Sequence, residues 1–330
     1  DLYVEYLKSG VAQKINLDLI KEIKDKIVIE NVGGSAYRTL SRVLNKLGIS
    51  DKFIWFNIGE DPFFHSIGKY DHTPKGEKAF YDYSVDATVI SKKQNGEKFF
   101  PVIETLHYKE KLTDKPVGTA VLITDPDHDR LTIAQTEYAC TVPELEKAGI
   151  DYIKLNDDLI LTIFTANQAF LMLMDFWAKQ LKSQGLWDKH PRFMIKTTAS
   201  AVSWDEWAEN QGVKVVNVPV GFKEIANIMK KVELKLKNST EKEVIVDDVL
   251  GNSINLGINP RLLFGGEESG GMIMGTEELI KSNAGRFAIA MREKSATEAI
   301  IVASALISKL QKEQVSLSEY LVEIFNENNI

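Results

Sequence analysis

Short β-branched runs that end in a turn and hand over to a helix recur along this chain, and that alternation limits the possible folds more than any other feature. The first is Lys26-Ile27-Val28-Ile29-Glu30. The turn Asn31-Val32-Gly33-Gly34-Ser35 follows it, and then Leu40, Val43, Leu44 and Leu47 stand at helical spacing up to Gly48. Residues 53–56 and 119–123 read as two more strands, the second ending at Thr124-Asp125-Pro126, and Leu131-Thr132-Ile133-Ala134 alternates like a fourth. Beyond them, Thr165 with Gln168 three residues later is a capping-box signature. It opens a helix through Phe170, Leu173, Met174, Trp177 and Leu181 to Gly185. Strands are then expected at 193–196, 213–218 and 262–264, helices at 201–210, 223–230 and 297–311, and an amphipathic piece trailing away over 315–330. This predicts an α/β chain: two consecutive α/β domains, each a mixed β-sheet sandwiched by helices, with a boundary near Asp157. The Pro143 to Gly149 stretch reads as a connection, and residues 57–118 are polar and fit no element.

A chain of 330 residues accommodates about two domains. With 40 basic against 47 acidic residues the net charge is −7, so the chain as a whole presents no basic field, and nucleic acid is excluded as the expected partner. Cys140 is the only cysteine, which rules out an internal disulfide or a multi-cysteine zinc site and fits a reducing, cytoplasmic setting. The most apolar stretch, Leu159 to Met174, is interrupted by Thr162, Thr165, Asn167 and Gln168 and closes at Asp175, short of the roughly 20 apolar residues a membrane span needs. No signal-peptide pattern opens the chain. It starts at Asp1 without an initiator Met, so a processed or excised fragment is expected.

Asp125-Pro126-Asp127-His128-Asp129-Arg130 is the segment richest in chemistry. Three carboxylates at alternate positions after a buried strand can be curled by Pro126 around one hard cation, and Mg²⁺ takes oxygen ligands that it commonly shares with a phosphate. An acidic surface turn would show the same residues. An EF-hand does not fit, because Arg130 and Thr136 stand where that loop needs Gly and Glu. Arg130 could hold a phosphate oxygen or simply pair with a neighbouring Asp. Further on, Gly265-Gly266-Glu267-Glu268-Ser269-Gly270-Gly271 follows a strand. Its glycines allow close approach of the backbone to a ligand, its Glu and Ser suit sugar hydroxyls, and its side chains should leave the sheet edge rather than enter the core. Val220-Gly221-Phe222-Lys223 places backbone N–H groups and a Lys at a helix start, and Lys196-Thr197-Thr198 ends a third strand. All four segments lie at carboxyl ends of predicted strands, where open α/β sheets bind ligands.

With these motifs in this order and roughly this spacing, the chain resembles the α-D-phosphohexomutase superfamily, the phosphoglucomutases and phosphomannomutases. The carrying motifs are D-x-D-x-D-R, the Gly-Phe-Lys turn, G-E-E-S-G-G, and the opening Gly33-Gly34 with the helix end Leu44-Asn45-Lys46-Leu47-Gly48. The resemblance implies Asp125, Asp127 and Asp129 as Mg²⁺ ligands and Arg130 as a neighbour of a catalytic phosphoserine. It implies Glu267 and Ser269 as sugar-binding, Gly221 and Phe222 with Lys223 as a second substrate-facing loop, and Lys196 as a catalytic basic group. Residues 1–157 would be the family's domain 2, 158–314 its domain 3 and 315–330 the start of a linker to domain 4. The phosphoserine loop of a first domain and the phosphate clamp of a fourth have no counterpart in the 330 residues. The expected parent would move phosphate between C1 and C6 of glucose or mannose, with hexose phosphate and hexose 1,6-bisphosphate as its small-molecule partners. His128 and Lys294-Ser295-Ala296 depart from common family residues and leave the sugar open.

Two other readings stand beside it. A haloacid-dehalogenase-like phosphatase would use Asp125 as nucleophile and Asp127 as acid/base, with Asp247-Asp248 as later metal ligands; Asp129 and the Glu267 loop argue against it. A non-catalytic sugar-phosphate-binding module needs no phosphoserine.

Overall fold

The structure is a computed structural model that describes residues 2–62, 65, 67, 69–70, 80–81, 92–94, 97–281 and 285–330. Much of the unassigned stretch 57–118 thus lies outside the described residues. The chain divides into two compact units, Ile23–Thr165 and, together, Asp1–Glu22 with Ala166–Ile330. Both are α/β, with mixed sheets flanked by helices.

In the first unit six strands form one sheet, in the order Phe53–Phe56, Ile27–Glu30, Ala120–Thr124, Leu131–Tyr138, Leu159–Phe164, Asp151–Lys154. The first three run parallel and the remaining pairings are antiparallel. The central strands are buried along their length, which is why they read as continuous apolar runs rather than alternating ones. One core packs Val28, Val121, Ile123, Leu161 and Ile163 against Val102, Ile103, Tyr108 and Leu112 from the short helices Pro101–Thr105 and Tyr108–Leu112. The strand 159–164 pairs with 131–138, so this compact unit closes at Thr165, eight residues beyond the boundary expected from sequence. The stretch read as a connection contains the helix Val142–Lys147, with Pro at its start.

The second unit has a four-stranded sheet in the order Lys214–Val218, Arg192–Thr197, Arg261–Gly266, Met272–Met274. The first two pairings are parallel and the last antiparallel. A register shift between Phe193 and Met194 leaves Leu263 as an extra residue. Leu262 therefore joins Phe193, Ile195, Ile225 and Met229 on the face covered by helix Phe222–Asn238, while Phe264 packs on Phe170 and Trp204 of the helices opposite. Two N-terminal helices, Leu2–Ser9 and Lys14–Lys21, belong to this unit rather than to the first; the Ser308 hydroxyl on helix Ala296–Glu313 donates to Leu19 O. The final segment does not trail away. Ser316 and Glu319 form a capping box for helix Leu317–Asn328, and the Tyr320 hydroxyl donates to buried Asp175, which also accepts from Trp207 Nε1. Among the described residues no helix is long and apolar enough to cross a membrane.

Candidate functional site

The acidic loop leaves the carboxyl end of strand 120–124 in the first unit. Asp125 is buried, and its Oδ1 accepts from the backbone N–H groups of Asp129 at 2.9 Å and Arg130 at 3.0 Å. His128 takes the left-handed conformation, φ +64°, and its N–H bonds back to Asp125 O. The result is a tight curl in which one oxygen from each of Asp125, Asp127 and Asp129 lies within 4.8 Å of the other two. Arg130 Nε stands 3.6 Å from Asp125 and 3.5 Å from Asp129, so its charge is turned toward the same cluster. Burial, and then repulsion from Asp129 and Asp127, raises the Asp125 carboxyl to about 8 against the opposing effect of the Arg130 amide. Burial lowers His128 to about 4, so the imidazole is neutral and brings no second cation. Three convergent carboxylates, the innermost of them buried, suit a hard divalent ion such as Mg²⁺.

The glycine loop leaves strand 261–266 in the second unit. Its backbone closes through Glu267 N to Gly271 O and Gly270 N to Glu267 O, with Gly270 at φ +102°. Contrary to the expectation that the loop's side chains leave the sheet edge rather than enter the core, Glu267 is buried and paired with Lys294 Nζ at 3.1 Å. A Cβ on Gly271 would fall 2.4 Å from Lys294 Cδ, so the lysine stem fills the space that glycine leaves. Glu268 accepts from the Thr197 hydroxyl at 2.5 Å, tying this loop to the neighbouring strand end. Ser269 is half-buried in the same turn.

The other expected residues of this unit behave differently. Lys196 is buried, and its ammonium meets Asp205 at 2.5 Å and the carbonyls of Ser200 and Ala201 at 3.2 and 3.1 Å, matching three donors with three acceptors. Gly221 starts helix 222–238 at φ +120° with open space around it, whereas the Phe222 side chain is part of the core; the turn offers a ligand backbone rather than the ring. Lys223 is 84% exposed. Asp247 and Asp248 are in a hairpin, where they accept from Ser253 Oγ and Asn252 N.

Sequence reading missed Lys294 as the partner of Glu267 and Thr197 as the partner of Glu268. The first pair is separated by 27 residues and the second by 71, so no local pattern signals either.

Residues 170–327 match the family model of phosphoglucomutase/phosphomannomutase, alpha/beta/alpha domain III. Among solved structures, a protein from Thermus thermophilus described as a phosphomannomutase is similar over 100% of this chain and 52% of its own length, at 16% identity and TM-score 0.54. N-acetylglucosamine-phosphate mutase, a member of the alpha-D-phosphohexomutase superfamily, in its apo form, is similar over 97% of this chain and 50% of its own, at 13% identity and TM-score 0.51. The Aspergillus fumigatus N-acetylphosphoglucosamine mutase in complex with GlcNAc-6P and magnesium matches over 94% and 48%, at 10% identity and TM-score 0.50. At these identities the likeness is one of fold. The chain spans about half the length of the solved structures it matches. A search of the curated proteins found no sequence relative.

Proposed function

We propose, for a chain whose residues 170–327 belong to the phosphoglucomutase/phosphomannomutase family as its domain III, that it supplies the metal-binding and sugar-binding middle of a hexose-phosphate mutase. Residues 23–165 would be domain 2, and the domains carrying a phosphoserine and a phosphate clamp would lie in the rest of a longer parent. The carrying observation is the curl of Asp125, Asp127 and Asp129 within 4.8 Å at a strand's carboxyl end. Mg²⁺, when bound there, would stabilise charge on a transferring phosphoryl group. Arg130, whose guanidinium faces the cluster, would orient that group's oxygens. Glu267, paired with Lys294, would accept from sugar hydroxyls, and Ser269 and the backbone at Gly221–Phe222 would complete the sugar contacts with Lys223 at the rim. Lys196 acts in this reading by holding the turn at Ser200–Ala201. The substrates would be a hexose 1- or 6-phosphate and its 1,6-bisphosphate, in a reducing, cytoplasmic setting.

The test is a coupled assay on the full-length parent. Hexose 1-phosphate should become 6-phosphate only with Mg²⁺ and a catalytic amount of bisphosphate, with label from the bisphosphate found on a serine outside residues 1–330. The chain by itself should be inactive. Label trapped on Asp125 as an acyl phosphate would replace this reading with the phosphatase one. An intact source protein of only 37.1 kDa would favour the binding module.

A further inference from the structure

Strands 53–56, 27–30 and 120–124 run parallel and end side by side, and the turn after the middle one lies against the acidic loop. That turn has an unusual backbone. Val32 has φ +46°, a rare position for a β-branched residue, Gly33 has φ +72°, and Asn57 at the adjoining strand end has φ +49°. What holds it is Glu30, wholly buried: Oε1 accepts from Val32 N at 2.7 Å, and Oε2 accepts from Asn57 Nδ2 at 2.8 Å and the Tyr108 hydroxyl at 3.1 Å. Asn31 fixes the remainder, donating from Nδ2 to Gly34 O at 2.8 Å and accepting from Tyr37 N at 3.0 Å.

The far side of the turn touches Pro126, which stands between the first two carboxylates. Gly34 is so close that a Cβ would come within 2.4 Å of Pro126 O and 2.6 Å of its Cα. Ser35 N donates to Pro126 O at 3.0 Å, and Ser35 Oγ reaches it at 3.3 Å. Thr124, the residue before Asp125, donates its hydroxyl to Glu30 O. The acidic loop is thus gripped at Thr124 and Pro126, on either side of Asp125, by Glu30 and the turn that follows it.

We infer that Gly34 and Ser35 are positioning residues for the metal loop, with Glu30 holding their turn from within. The metal-binding consequence rests on the reading of Asp125, Asp127 and Asp129 proposed above; the effect on the loop does not. Mg²⁺ requires near-ideal octahedral oxygens, whereas Ca²⁺ accepts irregular sites, so a displaced Pro126 should cost Mg²⁺ more than Ca²⁺. A residue that only stabilises the fold would not change that ratio.

The experiment compares the wild-type chain with Gly34→Ala and with the near-isosteric Glu30→Gln. Without metal, hydrogen exchange should lose roughly tenfold or more protection at the Asp129 and Arg130 amides, which bond to Asp125, while amides of strand 131–138 keep theirs. By calorimetric titration, Mg²⁺ affinity should fall roughly 10- to 100-fold, as for other outer supports of metal ligands, and Ca²⁺ affinity less. Native exchange at both amides in both variants would overturn the positioning role. So would Mg²⁺ and Ca²⁺ weakening equally, with exchange lost across strand 131–138 as well. A wild-type chain that binds no Mg²⁺ would sink the metal reading by itself, and the exchange result would then decide the positioning role alone.

Discussion

The two candidate loops both leave the carboxyl end of a parallel strand, yet they are built in opposite ways. The acidic loop, though braced from outside at Thr124 and Pro126, satisfies its buried carboxylate locally: Asp125 accepts from amides four and five residues on, and alternate spacing brings the other two carboxylates round. The glycine loop cannot fix its own charge. Glu267 is buried, and its counter-charge, Lys294, arrives from 27 residues away on a segment itself pinned by the N-terminal helix. There the Tyr3 hydroxyl meets Ser295 Oγ at 3.0 Å, and Tyr6 donates to Glu298 and accepts from Met291 N. Substitutions in the first loop should therefore change binding with little effect on folding, and substitutions around the second should change folding as well.

The largest effect is expected at the metal. Asp127 is exposed and Asp127→Asn is nearly isosteric, so Mg²⁺ or Mn²⁺ affinity should fall more than about 100-fold, beyond what outer supports carry, with the melting temperature held. Equal affinity in calorimetric titration would leave the acidic curl as a surface turn.

Next comes Lys294→Met, which strands a buried carboxylate and should destabilise the chain by about 3 kcal/mol in denaturant unfolding. Adding Glu267→Gln should recover part of that loss, since the two residues interact directly. Additive losses would break the contrast drawn between the loops.

A third prediction concerns pH. Glu298 accepts from Tyr6 and from Met274 N, and burial raises it to about 7. The folded chain therefore holds its proton more tightly than the unfolded chain, whose Glu titrates near 4.5. The associated stability is complete below that value and is lost as pH rises through about 7, on the order of 3 kcal/mol. Unfolding curves at pH 5 and 8 should differ by less in Glu298→Gln than in the wild type; an unchanged pH slope would remove Glu298 as its source.

The smallest change is Lys223→Ala. This exposed side chain should contribute within about 0.5 kcal/mol to stability, while under the proposed mutase reading the KM for hexose phosphate, measured in the parent that reading requires, should rise. An unaltered KM would take the Gly221 turn's lysine out of the site.

Contacts between neighbours along the chain account for the features legible in the sequence. Ile27–Glu30 and Ala120–Thr124 are apolar runs closed by polar turns, and Asp125, Asp127 and Asp129 curl through contacts within five residues, so strands, fold class and acidic loop were legible. Tertiary structure alone decided the rest. Leu159–Phe164 lies beyond the boundary expected near Asp157 and was given no element from sequence, until its pairing with Leu131–Tyr138 placed it in the first sheet. Glu267 was expected to leave the sheet edge rather than be buried, because Lys294 could not be foreseen, and Lys196 looked available until Asp205 and two carbonyls closed round it. The Gly33-Gly34 turn was readable as a turn, but not as the surface that Pro126 presses against. Periodicity and spacing encode which faces of an element are apolar; they do not encode which distant charge or carbonyl will be brought alongside, because that depends on the packing of whole elements.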